Sequence, residues 1–172
     1  MIKAYLAFFL MGGLLLASYI IPTFPAHLAF NRSASLPLGF YLSVPVKAAE
    51  LHRNDIACFT WESPAWARGR YLPEGSLVCK HVMAVEGDVV TRKSDGVYLT
   101  PRTGDAPIFA GAVRETDSAG RAVQAWPQER YMVEDNSFYM GTPVARGLDS
   151  RYLGPVPGER IRYRITPLWT WN

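Results

Sequence analysis

The chain opens on a run without alternation. Residues 4–21 read AYLAFFLMGGLLLASYII, eighteen positions with no charge, closed by Pro22-Thr23-Phe24-Pro25. At a helical rise of about 1.5 Å per residue this is just long enough to cross the hydrocarbon core of a bilayer, so the pattern predicts one membrane-spanning anchor. Two alternatives compete with it. A cleaved signal peptide has a shorter apolar core and a small-x-small cleavage site, whereas this run ends in Tyr19-Ile20-Ile21-Pro22. A buried core helix is the weaker second, because every face is apolar and the segment stands at one end of the chain. Lys3 on the short side favours an N-terminus in the cytoplasm and a remainder outside it, with Arg32 and Arg53 on the other side weakening that vote.

Beyond residue 30 the pattern changes to short apolar stretches of period two, broken by Gly, Pro, Asn and Asp every eight to fifteen residues. That spacing predicts an all-β domain. The expected strands are 39–44, 55–60, 76–86, 89–93, 96–99, 130–134, 137–141 and 160–165. A short helical turn is expected at 149–152, and the polar, Gly- and Pro-rich stretch 100–128 reads as an insertion or loop-rich hairpin. No internal repeat or low-complexity tract interrupts this. The expected organisation is therefore an anchor at 1–25 and one extracytoplasmic domain at 26–172.

Composition narrows the class. In 172 residues, 49% hydrophobic and 19% charged, there is room for one domain with a core, and the two cysteines exclude a disulfide-dense miniprotein. Eighteen basic against fifteen acidic residues leave a net charge of +3, too small and too scattered to imply nucleic acid. Lys3 is the only charged residue among the first thirty-one, so nearly all the charge belongs to the domain.

The candidate chemistry is found by elimination and then by pattern. His27, His52 and His81 lie far apart, no Cys or His pair has metal-ligand spacing, and none of the three histidines sits in a triad-like motif. No glycine-rich phosphate loop is present. Serine and lysine remain. Ser33-Ala34-Ser35-Leu36-Pro37 precedes Gly39, a composition that turns the chain and presents a hydroxyl and a backbone N–H together; an ordinary linker between anchor and domain is the competing reading. Strand alternation puts Lys80 on one face with Val78, Val82 and Ala84, where desolvation lowers a lysine's pKa toward that of a general base. An edge-strand lysine reaching out to water is the alternative there. Cys79, His81 and Met83 fall on the opposite face, which makes His81 a structural or surface residue. The cluster Gly147-Leu148-Asp149-Ser150-Arg151 pairs an acid with a base, either to brace a site or to cap a surface turn.

Taken in order, these segments resemble the type I signal peptidases, and within them the conjugative-transfer branch. The resemblance runs through Asn31-x-Ser33-x-Ser35-Leu36-Pro37-x-Gly39-x-Tyr41, Asn54-Asp55-Ile56-Ala57-Cys58-Phe59, Val78-Cys79-Lys80-His81-Val82, Gly87-Asp88-Val89, Tyr139-Met140-Gly141 and Asp149-Ser150-Arg151-Tyr152-x-Gly154-Pro155-Val156. It implies a mainly β, signal-peptidase/LexA-like β-barrel domain behind an N-terminal transmembrane helix. It implies Ser35 as nucleophile, Lys80 as general base and Asp149 as a further active-site acid. The Ser35 N–H and the Ser33 hydroxyl then form the oxyanion hole, and Arg151 is the partner of Asp149. An extended precursor peptide is expected between the strands leading into the serine and the lysine, against Ala34, Leu77 and Val78. No metal or organic cofactor is implied.

The implied role is a single-pass inner-membrane serine endopeptidase, its catalytic domain in the periplasm, that matures a pilin alongside other conjugative-transfer components, with cyclisation of the pilin as a variant outcome. A general leader peptidase and an inactive assembly scaffold are the alternatives. The chain departs from the leader-peptidase pattern in three places: Thr142-Pro143-Val144 replaces Asp-Asn-Arg, Gly147 stands where a lysine-binding serine is frequent, and His81 stands where arginine is common. What orients the Lys80 ammonium is thereby left open. Cys58 and Cys79 are expected on strands that a hairpin can bring opposite each other, as a disulfide or as two buried thiols. Trp169 and Trp171 are expected to sit at the membrane interface or to cap the barrel.

Overall fold

A computed structural model describes Met11 and residues 25–171 except 143 and 146. The expected anchor, including Lys3 and nearly all of residues 4–21, lies outside the described residues. Among the described residues no helix is long and apolar enough to cross a membrane.

The domain is mainly β. In chain order it contains β1 (His27–Asn31), β2 (Leu38–Pro45), β3 (Ile56–Thr60), β4 (Leu77–Ala84), β5 (Val89–Lys93), β6 (Gly96–Thr100), β7 (Ile108–Gly111), β8 (Arg130–Met132), β9 (Ser137–Gly141), the one-turn helix α1 (Ser150–Leu153), β10 (Val156–Pro157) and β11 (Ile161–Trp171). A seven-stranded sheet runs β1-β2-β11-β3-β4-β9-β10 and a smaller one runs β7-β6-β5-β8. Every pairing is antiparallel.

The centre of the large sheet explains its sequence. β3 reads Ile-Ala-Cys-Phe without polar alternation because both of its faces are covered. Ala57 and Phe59 join Val82, Met140 and Ile161 on one side, while Ile56 and Cys58 join Leu36, Tyr41 and Ile165 on the other. Ile161 and Ile165 have the same parity and would share a face in a regular strand. The irregular register between Ile161 and Tyr163 inserts the extra residue that sends them to opposite cores. A third cluster, of Val90, Val97, Leu99, Ala110 and Val133, lies under the small sheet and reaches Ala84 and Tyr139 of the large one.

The turn between the sheets is held by Asp88, which is buried. Its carboxylate accepts from the Arg53 guanidinium at 2.6 Å, from the Val85 N–H at 2.7 Å and from the Arg102 N–H at 3.0 Å. This accounts for Gly87-Asp88-Val89 as a structural motif: Gly87 adopts φ +82° and the acid ties three segments to it.

The expected strands are all present, 89–93 and 137–141 with the expected bounds and the others with shifted ends, and α1 takes the place of the expected helical turn. The structure adds β1, β7 and the short β10, and carries the last strand on to Trp171. β1 was not expected because all but its last residue lie at or before position 30, beyond which the alternating pattern begins. It pairs with β2 from His27↔Ser43 to Asn31↔Gly39, so residues 32–37 become the loop of a hairpin. Gly39 sits at the end of that hairpin with φ +139°, and a Cβ there would fall 2.2 Å from the Trp169 carbonyl oxygen, a close approach that only glycine permits. Trp169 and Trp171 belong to β11, opposite Phe40 and Leu38.

Candidate active site

The β1–β2 loop is organised by its first residue. The Asn31 side-chain amide donates to the carbonyls of Ser33 at 2.9 Å and of Leu36 and Pro37 at 3.0 Å, while its oxygen accepts from the Ser33 N–H at 3.1 Å and the Ser33 hydroxyl at 2.8 Å. Tyr41, fully buried, donates to the Pro37 carbonyl at 2.7 Å. The serine segment is thus a fixed turn rather than a linker, and half-buried Ser35 is held at its apex. Ser35 Oγ lies 3.0 Å from Ser33 Oγ. Because the one hydroxyl proton of Ser33 goes to Asn31, Ser33 Oγ accepts the Ser35 proton in this arrangement.

Lys80 approaches from the other side. In β4 it pairs opposite Ala57 and is only 5% exposed, with Val82 and Ala84 following it into the core. Burial pushes its pKa below the usual lysine value; Arg151 acts in the same direction and Asp149 opposes. The expectation of a desolvated lysine on an apolar face holds, and the alternative of a side chain reaching water does not. His81 pairs with Gly141 and Ile56 and does not line the cleft; burial and then Lys80 hold its pKa down.

Ser33, Ser35 and Lys80 line one cleft of about 510 Å³. Ala29 and Phe30 of β1 form one side, and Leu77 and Val78 of β4 the other. Since β1 and β4 are separated in the sheet by three strands, the sheet must curl strongly to bring them to one cleft. Ala34, expected beside the substrate, is exposed on the loop and does not line the cleft, whereas its neighbours Ser33 and Ser35 do. β4 pairs with β9 only from His81 onward, so residues 77–80 have β3 on one edge and no strand on the other among the described residues. Cys58 and Cys79 are joined by a disulfide across paired positions of β3 and β4, and both line the cleft.

Asp149 is fully buried and does not line the cleft. It is the N-cap of α1, accepting the Arg151 N–H at 3.1 Å, and it receives Arg151 Nε and Nη2 at 2.8 Å each. Arg151 Nη1 donates to the Ala112 carbonyl at 2.9 Å, and Nη2 also reaches the carbonyls of Val144 and Gly147 at 3.1 Å. The pair therefore holds the backbone at Val144 and Gly147, next to Leu148, which lines the cleft. The Ser150 hydroxyl accepts the Met140 N–H at 2.9 Å and locks α1 to β9. Among the described residues no group of three His, Cys, Asp or Glu side chains is placed to hold a metal ion.

The sequence reading found the serines, the lysine and the ion pair, and missed Asn31, Tyr41 and Thr142 as parts of the site. Asn31 carried a usable signal, an asparagine two residues before a serine at a turn. Thr142, whose hydroxyl donates to the Ser35 carbonyl at 2.8 Å, carried none, since its partner lies 107 positions away.

A buried lysine and a fixed serine in one cleft of a mainly β domain define a candidate hydrolase site, and the family comparison agrees. The family described as signal peptidase, peptidase S26, matches residues 1–169, and the chain belongs to that family. It is also similar to the conjugal transfer protein TraF of Agrobacterium fabrum, with 27% identity over 180 residues that cover 99% of this chain and 98% of that protein.

Proposed function

We propose that this peptidase is a Ser/Lys endopeptidase, with Ser35 as nucleophile and Lys80 as general base. The observation that carries the reading is the meeting of Ser35 and buried Lys80 in one cleft. With its pKa lowered by burial, Lys80 in its neutral form takes the Ser35 proton, the alkoxide attacks a peptide carbonyl, and the C–N bond breaks to leave an acyl ester while Lys80 returns the proton to the leaving amine. A second nucleophile, water or the substrate's own amino terminus, then opens the ester and yields a linear or a cyclic product. The Ser35 N–H and the Ser33 hydroxyl stabilise the tetrahedral oxyanion, for which Ser33 must turn its proton from Asn31 toward the substrate. Asp149 and Arg151 act behind the wall of the cleft, positioning it and biasing the Lys80 pKa.

The substrate is read as an extended segment that adds to the free edge of β4 at residues 77–80, with Leu77 and Val78 receiving side chains and β1 on the opposite side. The conjugal transfer protein similar to this chain along its length supports a precursor of a conjugative apparatus, such as a pilin, as that substrate. An anchor at residues 1–25, with the domain outside the cytoplasmic membrane, is supported by the apolar run at 4–21 and by the disulfide, which persists in oxidising compartments. Exposed Phe30, Trp169 and Trp171, packed with Phe40 into one aromatic cluster, would place this face at the lipid interface.

The test is co-expression of a pilin precursor from the same transfer locus with the wild type, Ser35→Ala and Lys80→Ala, followed by N-terminal sequencing of the pilin. Removal of the leader by the wild type alone is expected. Removal by Ser35→Ala overturns the assignment of the nucleophile.

A further inference from the structure

The turn that carries the nucleophile has a gap in its bracing. Asn31 takes the carbonyls of Ser33, Leu36 and Pro37 and leaves out that of Ser35 itself. The Ser35 carbonyl accepts instead from Thr142, a residue 1% exposed, which follows the last residue of β9. The same hydroxyl oxygen accepts the Val144 N–H at 3.4 Å, so its single proton is committed to Ser35. A planar peptide makes this contact decisive: fixing the Ser35 oxygen fixes the rotation about the Cα–C bond of Ser35, and with it the setting of the hydroxyl relative to the strand that brings Lys80.

Gly147 belongs to the same arrangement. A Cβ on Gly147 would fall 2.0 Å from the Thr142 Cγ2 methyl, while the next nearest atoms, the Val144 carbonyl oxygen and Arg151 Nη2, stand off at 3.2 and 3.4 Å. The methyl of Thr142 is the principal obstacle to a side chain at 147. Two of the departures from the leader-peptidase pattern, at 142 and at 147, are therefore one coupled feature.

We propose that Thr142 is a positioning residue for Ser35, holding the nucleophile's peptide plane through its hydroxyl, and that position 147 is glycine in order to seat the Thr142 methyl group. Its functional meaning rests on the Ser/Lys reading above. The hydroxyl is the working part and the methyl is what excludes a side chain at 147. Serine at 142 keeps the first and removes the second; valine keeps the shape and removes the hydrogen bond.

The test needs no substrate. Both native cysteines are in the disulfide, so Ser35→Cys gives the full-length chain a single free thiol at the nucleophile's position. Its alkylation by iodoacetamide, in which the thiolate displaces iodide and forms a thioether, is followed against pH. In this background Thr142→Val slows alkylation at neutral pH about 3- to 10-fold and moves the pH midpoint, whereas Thr142→Ser stays within about 2-fold of the parent. Gly147→Ala slows it like Thr142→Val, and adding Thr142→Ser to Gly147→Ala restores it. An unchanged rate in Thr142→Val, or Thr142→Ser as slow as Thr142→Val, overturns the proposal. If Thr142→Val does not fold, the Gly147→Ala pair decides: no rescue by Thr142→Ser overturns it. Lys80→Met in the Ser35→Cys chain separates the two readings. A pH midpoint unmoved by Lys80→Met overturns the Ser/Lys dyad and leaves the comparison of valine with serine at 142 standing on its own.

Discussion

Both carboxylate oxygens of Asp149 are taken by the guanidinium of Arg151, Oδ1 by Nε and Oδ2 by Nη2, at 2.8 Å each and with the two side chains 1% exposed. A buried pair of this kind gains specificity through its geometry more than net stability, because desolvation offsets much of the attraction. Removing one partner is another matter. Arg151→Met would leave a buried carboxylate and the carbonyls of Ala112, Val144 and Gly147 without their donor. It is expected to lower the unfolding free energy by about 3–5 kcal/mol, read from urea denaturation. A loss under about 1 kcal/mol, the worth of an exposed pair, would contradict the brace.

The pH dependence of cleavage follows from Lys80. Because burial lowers its pKa, the acid limb of kcat/KM should fall below the ordinary lysine value of 10.5. Asp149 raises that pKa and Arg151 lowers it. Asp149→Asn keeps the size of the side chain and removes the opposing charge, so the limb should move to lower pH. A limb that stays at the ordinary lysine value in the wild type, or moves upward in Asp149→Asn, counts against Lys80 as the base.

The same shift has a sign in stability. Between the lowered pKa of the folded state and 10.5, the unfolded chain holds a proton on Lys80 that the folded chain does not, so stability rises with pH across this window. Below the folded-state pKa the cost of burying the charge is present in full. Lys80→Met should therefore abolish cleavage while making the domain more stable at pH 7, by a margin that shrinks as pH approaches 10. Denaturation midpoints of the two proteins at several pH values check it; a margin that grows with pH would contradict a desolvated lysine.

The disulfide joins the strand beside the base to its neighbour and forms part of the cleft's lining. It closes a loop with a sequence separation of 21. Replacing Cys58 and Cys79 together by Ala is expected to cost about 3 kcal/mol through the freedom returned to the unfolded chain. Precursor cleavage should slow as the strand carrying Lys80 loses its lateral tie. Thermal unfolding with and without reductant reads the first effect, and wild-type midpoints that do not respond to full reduction would contradict it.

The fold was legible where local pattern decides it. Alternation and turn residues marked β2, β5, β6 and β9, and β4 announced Lys80 through the apolar residues at 78, 82 and 84. Legibility failed where the cause is not local. β1 owes its form to pairing with β2, and its exposed Leu28 and Phe30 look in sequence like the end of an apolar link. β11 runs on past Pro167 to Trp171 because β2 is there to pair with it. Ile161 and Ile165 share a parity that gives no hint of the bulge between them. In the site, the sequence set Asp149 behind Ser35 and Lys80 because an orienting and a purely structural acid look alike there, and the three-dimensional arrangement puts the first two in the cleft and buries the third away from it. The cysteines stood open between disulfide and thiols until β3 and β4 were seen in register.

The most direct test of the Ser35–Lys80 centre is the intact mass of a pilin from the same transfer locus, co-expressed with the wild type, Ser35→Ala or Lys80→Ala. The dyad predicts a trimmed pilin with the wild type alone, at the linear mass if water resolves the acyl ester or one water lighter if the pilin's own amino terminus does. A trimmed pilin in the presence of Ser35→Ala or Lys80→Ala, or an untouched precursor beside the wild type, would contradict it.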